Sequence, residues 1–161
     1  MEILKFPHPS LFEVCKEVTV FGDELNTLLE GMYTTMSAGG GLGLAANQVG
    51  LHYRMFVMVG LQNEKLFIIN PKILKISEQP ANMREGCLSA PGEFLLLSER
   101  MFWVQVEFQN EKGEKKTRVF KGLHSVCVQH EIDHLDGKSH LMSKSIPKAQ
   151  RKQLYNKWGL K

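Results

Sequence analysis

The chain has 161 residues, a net charge of +3 and apolar and charged fractions of 43% and 23%. That is enough for a single domain with a sizeable core, and too mild a charge to imply nucleic acid as a partner. Three cysteines, Cys15, Cys87 and Cys127, are too few and odd in number for a disulfide framework and suit a reducing compartment such as the cytoplasm; the N-terminal residues lack a signal-peptide pattern, and no apolar run is long enough for a bilayer, so no membrane partner is expected.

In chain order, residues 1–22 read as an irregular arm, because Pro7 and Pro9 exclude an early helix. Asp23 is placed to cap a helix whose apolar stripe, Leu25, Leu28, Leu29, Met32 and Met36, runs to about Ser37 and ends at Gly39-Gly40-Gly41. The stretch from Gly41 to Gly50, GLGLAANQVG, is dense in small residues, which allows backbone to approach a ligand closely. It lacks the Gly-Lys-Ser/Thr of a phosphate loop and the glycine spacing of a dinucleotide fingerprint, and alone it reads equally well as a loop feeding a strand. Arg54 to Val59, Leu66 to Asn70 and Ile73 to Ser77 read as strands, the last two separated by Pro71. The chain then loops around Pro80 to Met83. Met101 to Gln109 and Lys115 to Phe120 read as a hairpin that turns at Asn110 to Gly113. A helix ending at Gly137 follows, then a tail that is polar from Lys138 and a short basic end from about residue 143, with a short helix from Pro147 to about Trp158. This order predicts one α+β domain over 1–161, with mainly antiparallel pairing and the penultimate helix packed on the sheet.

The chemistry concentrates in Gln129 to Gly137, QHEIDHLDG. Leu123, Val126, Cys127, His130 and His134 recur at helical spacing, so the two imidazoles lie one turn apart on an inward apolar face. H-E-x-x-H on a helix lets two imidazoles share one divalent cation, while Glu131 handles a proton of the activated water. The competing reading is a pair of core histidines beside a surface glutamate. Cys87, in Glu85-Gly86-Cys87-Leu88-Ser89, is either a thiolate ligand or a small buried apolar residue. From Gly137 onward there is no acidic residue, whereas Lys138, Lys144, Lys148, Arg151, Lys152, Lys157 and Lys161 are basic. Such a run is a solvated end or a weak contact for RNA phosphates.

Read together, GLGLAANQ (41–48), EGCLS (85–89) and QHEIDH (129–134) resemble, in this order, the three signature motifs of peptide deformylases. The resemblance covers most of the chain. It implies an enzyme that removes the formyl group from N-formylmethionine on nascent peptides, with Cys87, His130 and His134 as metal ligands and a fourth position left open. It implies Fe(II) as the native metal, with Zn(II), Ni(II) or Co(II) able to replace it; a thiolate ligand suits Fe(II) and Zn(II) alike. Glu131 would be the general acid/base, and the Gln48 amide and the Leu88 backbone N–H would stabilise the developing oxyanion. Leu42, Leu44, Val126 and Cys127 match methionine-pocket positions, and Gly43, Glu85 and Gly86 match peptide-binding ones, with Gly43 pairing to an extended substrate. The partners expected are nascent formylmethionyl peptides and, weakly, the ribosome through the basic tail, with no DNA and no obligate second copy of the chain.

The chain departs from the family pattern at two places. Gly92-Glu93-Phe94-Leu95-Leu96-Leu97 stands where a basic residue is common, with Arg100 supplying the usual arginine after one extra loop residue. Ser139-His140 replaces an apolar pair. The second departure creates H-E-x-x-H-x-x-G-x-x-H, the signature of metzincin proteases, in which His140 would be the third ligand. Too little chain follows for a Met-turn, and those enzymes are usually secreted. An inactive metal-binding module is the other alternative, but binding alone would not require Glu131 or Gln48.

Overall fold

A computed structural model describes residues 1–161. The strands are β1 (Gly43–Ala45), β2 (Met55–Val59), β3 (Lys65–Ile76), β4 (Arg84–Cys87), β5 (Ala90–Leu96), β6 (Trp103–Gln109) and β7 (Lys115–Lys121); the helices are α1 (Asp23–Ala38), α2 (Leu123–Leu135) and α3 (Lys148–Trp158). Five strands form one antiparallel sheet in the order β1-β2-β3-β6-β7, and β4-β5 is a separate hairpin. This is the α+β arrangement expected from the sequence.

The apolar stripe of α1 buries Leu25, Leu29, Met32 and Met36 against Met55, Val57 and Ile69 of the sheet. Asp23 does not cap α1. Gly22 holds the cap position without a side-chain bond, and Asp23 lies in the first turn, where its negative charge faces the positive end of the helix dipole. On the other side of the sheet Val128, Ile132 and Leu135 of α2 pack with Phe56, Met58, Val104, Val106 and Phe120. From Ser125 to Ile132 every residue of α2 is buried, as befits a helix enclosed on all sides. Two glycines at positive φ bound it, Gly122 (56°) and Gly137 (69°). At Gly137 a side chain is also excluded by the Phe12 carbonyl, which crosses the end of the helix.

Three segments differ from the sequence-based expectation. Pro71 does not divide β3. Asn70 takes a φ of 51°, the register with β6 slips between Ile69 and Lys72, and this bulge accommodates the missing N–H. The Asn70 amide uses the bulge to hold the N-terminal arm, accepting from Val18 N at 2.9 Å and donating to Val18 O at 2.8 Å. The stretch from Arg84 to Leu96 forms the β4-β5 hairpin, closed by the pairing of Cys87 with Ala90. Finally, the tail is docked: Leu154 of α3, with Trp158 and Leu160, packs with Phe6, Leu11, Cys87 and Leu95. No helix is long and apolar enough to cross a membrane.

Candidate metal centre

The one-turn spacing of His130 and His134 on α2 brings their rings to 4.8 Å between centroids. The end of β4 delivers Cys87 beside them, with its Sγ 3.2 Å from His134 Nε2. One donor atom from each of Cys87, His130 and His134 lies within 4.8 Å of the others, and all three residues are buried. One sulfur and two nitrogens converging in this way form three sides of a tetrahedral site for a divalent ion.

A charged layer behind the trio orients it. Glu85 Oε1 meets His130 Nδ1 at 2.8 Å, which makes Nδ1 the protonated nitrogen and leaves Nε2 free as a ligand. Arg100 binds the same carboxylate in bidentate fashion, Nε to Oε2 at 2.6 Å and an Nη to Oε1 at 2.8 Å, and its other Nη reaches Asp133 at 2.6 Å. Burial pushes the Glu85 carboxyl up, but the hydrogen bonds from Arg100 and His130 outweigh it and hold the group at about 2. The ion pair is enclosed, so removing one partner strands the other. Arg100→Gln is expected to destabilise the fold by about 3–5 kcal/mol, seen as a lower midpoint of urea unfolding with an unchanged slope.

Glu131, beside His130 but outside the donor trio, is 4% exposed, and its Oε2 has no hydrogen-bond partner in the protein. Burial drives its carboxyl up to about 7; the His130 charge opposes the shift and the Glu85 charge adds to it. A group poised there exchanges protons near neutral pH. β1 passes directly over it, and a Cβ on Gly43 would stand 2.6 Å from Glu131 Oε1 and 2.7 Å from Cys127 Sγ. Glycine at 43 is therefore what lets this strand lie against the site.

Gln48 sits in the short 3-10 turn Ala46–Val49 after β1. Ala45 N–H, which can only donate, binds Gln48 Oε1 at 2.9 Å and so fixes the amide orientation. The Nε2 end faces Ser89 Oγ at 3.1 Å and Cys87 Sγ at 3.5 Å. Asn47 clamps the same turn to α2 by donating to the His134 carbonyl at 2.5 Å, and Ser10 donates to the Asn47 carbonyl at 2.9 Å. Sequence reasoning missed the roles of Ser10, Asn47 and Ser89. Asn47 and Ser89 carried a signal, their places in the two stretches already singled out around Gln48 and Cys87; Ser10 carried none.

Cys87 and His130 of the trio border a cavity of about 570 Å³, together with Leu42, Gly43, Gln48, Glu85, Gly86, Leu88, Val126, Cys127 and Glu131. A sequence profile for polypeptide deformylases matches residues 1–151. The chain belongs to the polypeptide deformylase family. A peptide deformylase-like protein of Agrobacterium fabrum is 39% identical over 156 residues, 97% of this chain and 93% of that protein. A peptide deformylase of Phenylobacterium zucineum is 41% identical over 140 residues, 84% of this chain and 82% of its own. Among solved structures, a peptide deformylase of Ehrlichia chaffeensis superposes with a TM-score of 0.89 at 34% identity, covering 99% of this chain and 94% of the other. One of Synechococcus elongatus, in complex with actinonin, gives 0.89 at 32% identity, covering 99% and 86%. The activity is that of a deformylase, a metallo-hydrolase.

Within this deformylase fold some expected site residues lie elsewhere. Leu44 does not border the cavity; its side chain is fully buried in the cluster under α1. Glu85 does border the cavity, with its carboxylate oxygens bound to Arg100 and His130. His140 is 2% exposed, with its ring 5.2 Å from that of His130, yet it stands outside the donor trio. Its two ring nitrogens have no protein partner, and burial and the His130 charge push it down to about 3, so it is a neutral imidazole. Deformylase membership sets the metzincin alternative aside, and the turn at Gly137 supplies the physical reason: it carries His140 to a separate small cavity bordered by Arg100 and Asp133.

Proposed function

We propose that Cys87, His130 and His134 hold one divalent ion, natively Fe(II) and replaceable by Zn(II), Ni(II) or Co(II), and that the site removes formate from N-terminal formylmethionine. The observation that carries this reading is a buried sulfur–nitrogen–nitrogen trio next to a buried carboxylate, with Cys87, His130 and Glu131 at the wall of one cavity. An ion bound there supplies positive charge that polarises the formyl carbonyl and acidifies water. Glu131 takes the proton from the attacking water. As the C–N bond breaks, it delivers that proton to the leaving amine, giving formate and a free N-terminus. The Gln48 Nε2 end and the Leu88 backbone N–H donate to the formyl oxygen as its charge grows. The wall formed by Leu42, Val126 and Cys127 takes the methionine side chain, and Gly43 lets an extended peptide lie along β1. The whole chain acts as one catalytic unit and as a monomer, and its three free cysteines suit a reducing compartment.

The direct test is metal content of anaerobically prepared protein together with formate release from a formyl-Met peptide. Formyl-Met and formyl-norleucine peptides are expected to exceed formyl-Ala and formyl-Asp peptides in kcat/KM by at least about tenfold, because apolar burial is lost for Ala and a carboxylate must be desolvated for Asp. Equal rates on all four would show that no side-chain pocket operates.

The exposed lysines of α3 and its flanks support weak contact with ribosomal RNA, near where formylated chains emerge. Truncation would remove Leu154 and Trp158 from the core, so charge reversal is the cleaner test. Lys148→Glu with Lys152→Glu should lower co-sedimentation with ribosomes at low salt and leave little difference at high salt. Equal sedimentation at low salt would exclude α3 as the contact.

A further inference from the structure

The Gln48 amide and the Leu88 N–H, the donors assigned to the formyl oxygen, stand on two separate turns, and one short stretch of chain holds both. Leu88 and Ser89 turn the chain between the paired residues Cys87 and Ala90. Turn residues leave backbone groups without strand partners. The Leu88 N–H finds no backbone acceptor, and Leu88 borders the cavity. No backbone N–H donates to the Leu88 carbonyl either; its donor is the ammonium of Lys5, at 2.5 Å. The Ser89 carbonyl accepts from the Phe6 N–H at 3.1 Å, and the Leu4 N–H donates to the Gln48 carbonyl at 2.8 Å. A spacing of two residues carries N–H groups to the same edge of an extended segment, so Leu4 and Phe6 reach the two turns together.

The arm itself is fixed. Phe6 is buried and packs with Leu11, Cys87 and Leu154. The Leu88 side chain lies on the loop after α1, where a Cβ at Gly41 would come within 2.6 Å of its Cδ1. Leu88 is thereby held at its side chain by Gly41, through the next residue by Phe6, and at its own carbonyl by Lys5. Only the last contact lies at the surface, so it can be removed without opening the core. An oxyanion donor acts through its aim: the N–H must already stand where charge develops, and one donor contributes about 10²–10³-fold. A two-residue turn whose carbonyl is released can pivot, and the N–H pivots with it.

Resting on the deformylation reading, we propose that the arm from Leu4 to Phe6 positions both oxyanion donors, and that Lys5 is the positioning residue for the Leu88 N–H. Lys5 acts through Leu88; it neither touches the formyl group nor reads the peptide that follows.

The test uses metal-loaded full-length protein with formyl-Met-Ala-Ser, formyl-Met-Ser-Asp and formyl-Met-Ser-Lys, read as formate release. Lys5→Met keeps an unbranched chain and removes the ammonium. It is expected to lower kcat by roughly five- to twentyfold, while KM and the Asp-to-Lys ratio change by less than about twofold. Metal content and the midpoint of urea unfolding should match those of the parent protein. Lys5→Arg can still donate to the carbonyl and should recover at least about half of the lost rate. An unchanged kcat, a loss that falls on KM or differs between the Asp and Lys peptides, or an Arg variant as slow as the Met variant would overturn the proposal. So would a Lys5→Met protein that is unfolded or has lost its metal, because Lys5 would then be a structural residue. No formate release by the parent protein from any of the three peptides would overturn the deformylation reading itself, whereas release by the parent with an unchanged kcat in Lys5→Met would overturn this inference alone.

Discussion

Glu131→Gln is expected to retain its metal while formate release falls by roughly 10²–10⁴-fold or more. Retention follows because Glu131 lies outside the Cys87, His130 and His134 trio, and because glutamine keeps the shape that Gly43 packs against. The loss follows because a neutral amide cannot take a proton from water, and Glu131 borders the cavity with a buried Oε2 that no protein group occupies. Burial raises its carboxyl toward neutrality, which suits a group that accepts a proton and then returns it. The measurement pairs metal analysis with kcat on a formyl-Met peptide. Near-normal turnover with metal bound would assign the proton transfer to another residue. Loss of the metal would mean that Glu131 supports the site structurally.

The second large effect separates two candidates for the third ligand. Cys87→Ser should abolish tight metal binding, and His140→Ala should leave metal content and deformylation largely intact. A serine hydroxyl remains protonated at neutral pH and is a poor ligand, whereas the Cys87 sulfur already lies 3.2 Å from His134 Nε2. His140 packs its ring against that of His130 but lies outside the donor trio, and no group of the trio bonds its unpartnered nitrogens. Competition with a chelator reads both variants. The loss in Cys87→Ser should exceed the ~10–100-fold typical of removing a supporting hydrogen bond. An empty site in His140→Ala together with a full one in Cys87→Ser would reverse the ligand assignment.

The sequence by itself determined those elements whose signal is periodic and local. Leu25, Leu29, Met32 and Met36 mark α1, alternation marks β6, and one-turn spacing places His130 and His134 on one face of α2. The family followed from three short motifs in fixed order, which constrain chemistry more tightly than any one of them. What only the tertiary structure decided involves partners far apart in the chain. Arg100 reaches Glu85 across 15 residues, and Glu85 reaches His130 across 45, so no local pattern announces this chain of contacts behind His130. The β4-β5 hairpin is short and carries Gly86, Pro91 and Gly92, which read as loop residues until cross-strand pairing stabilises them. β3 runs through Pro71 because pairing on both sides compensates for one bulge. Leu44 looked like a pocket residue by position, but burial under α1 draws its side chain into the core. In each case the deciding free energy comes from burial and pairing with residues that are neighbours only after folding.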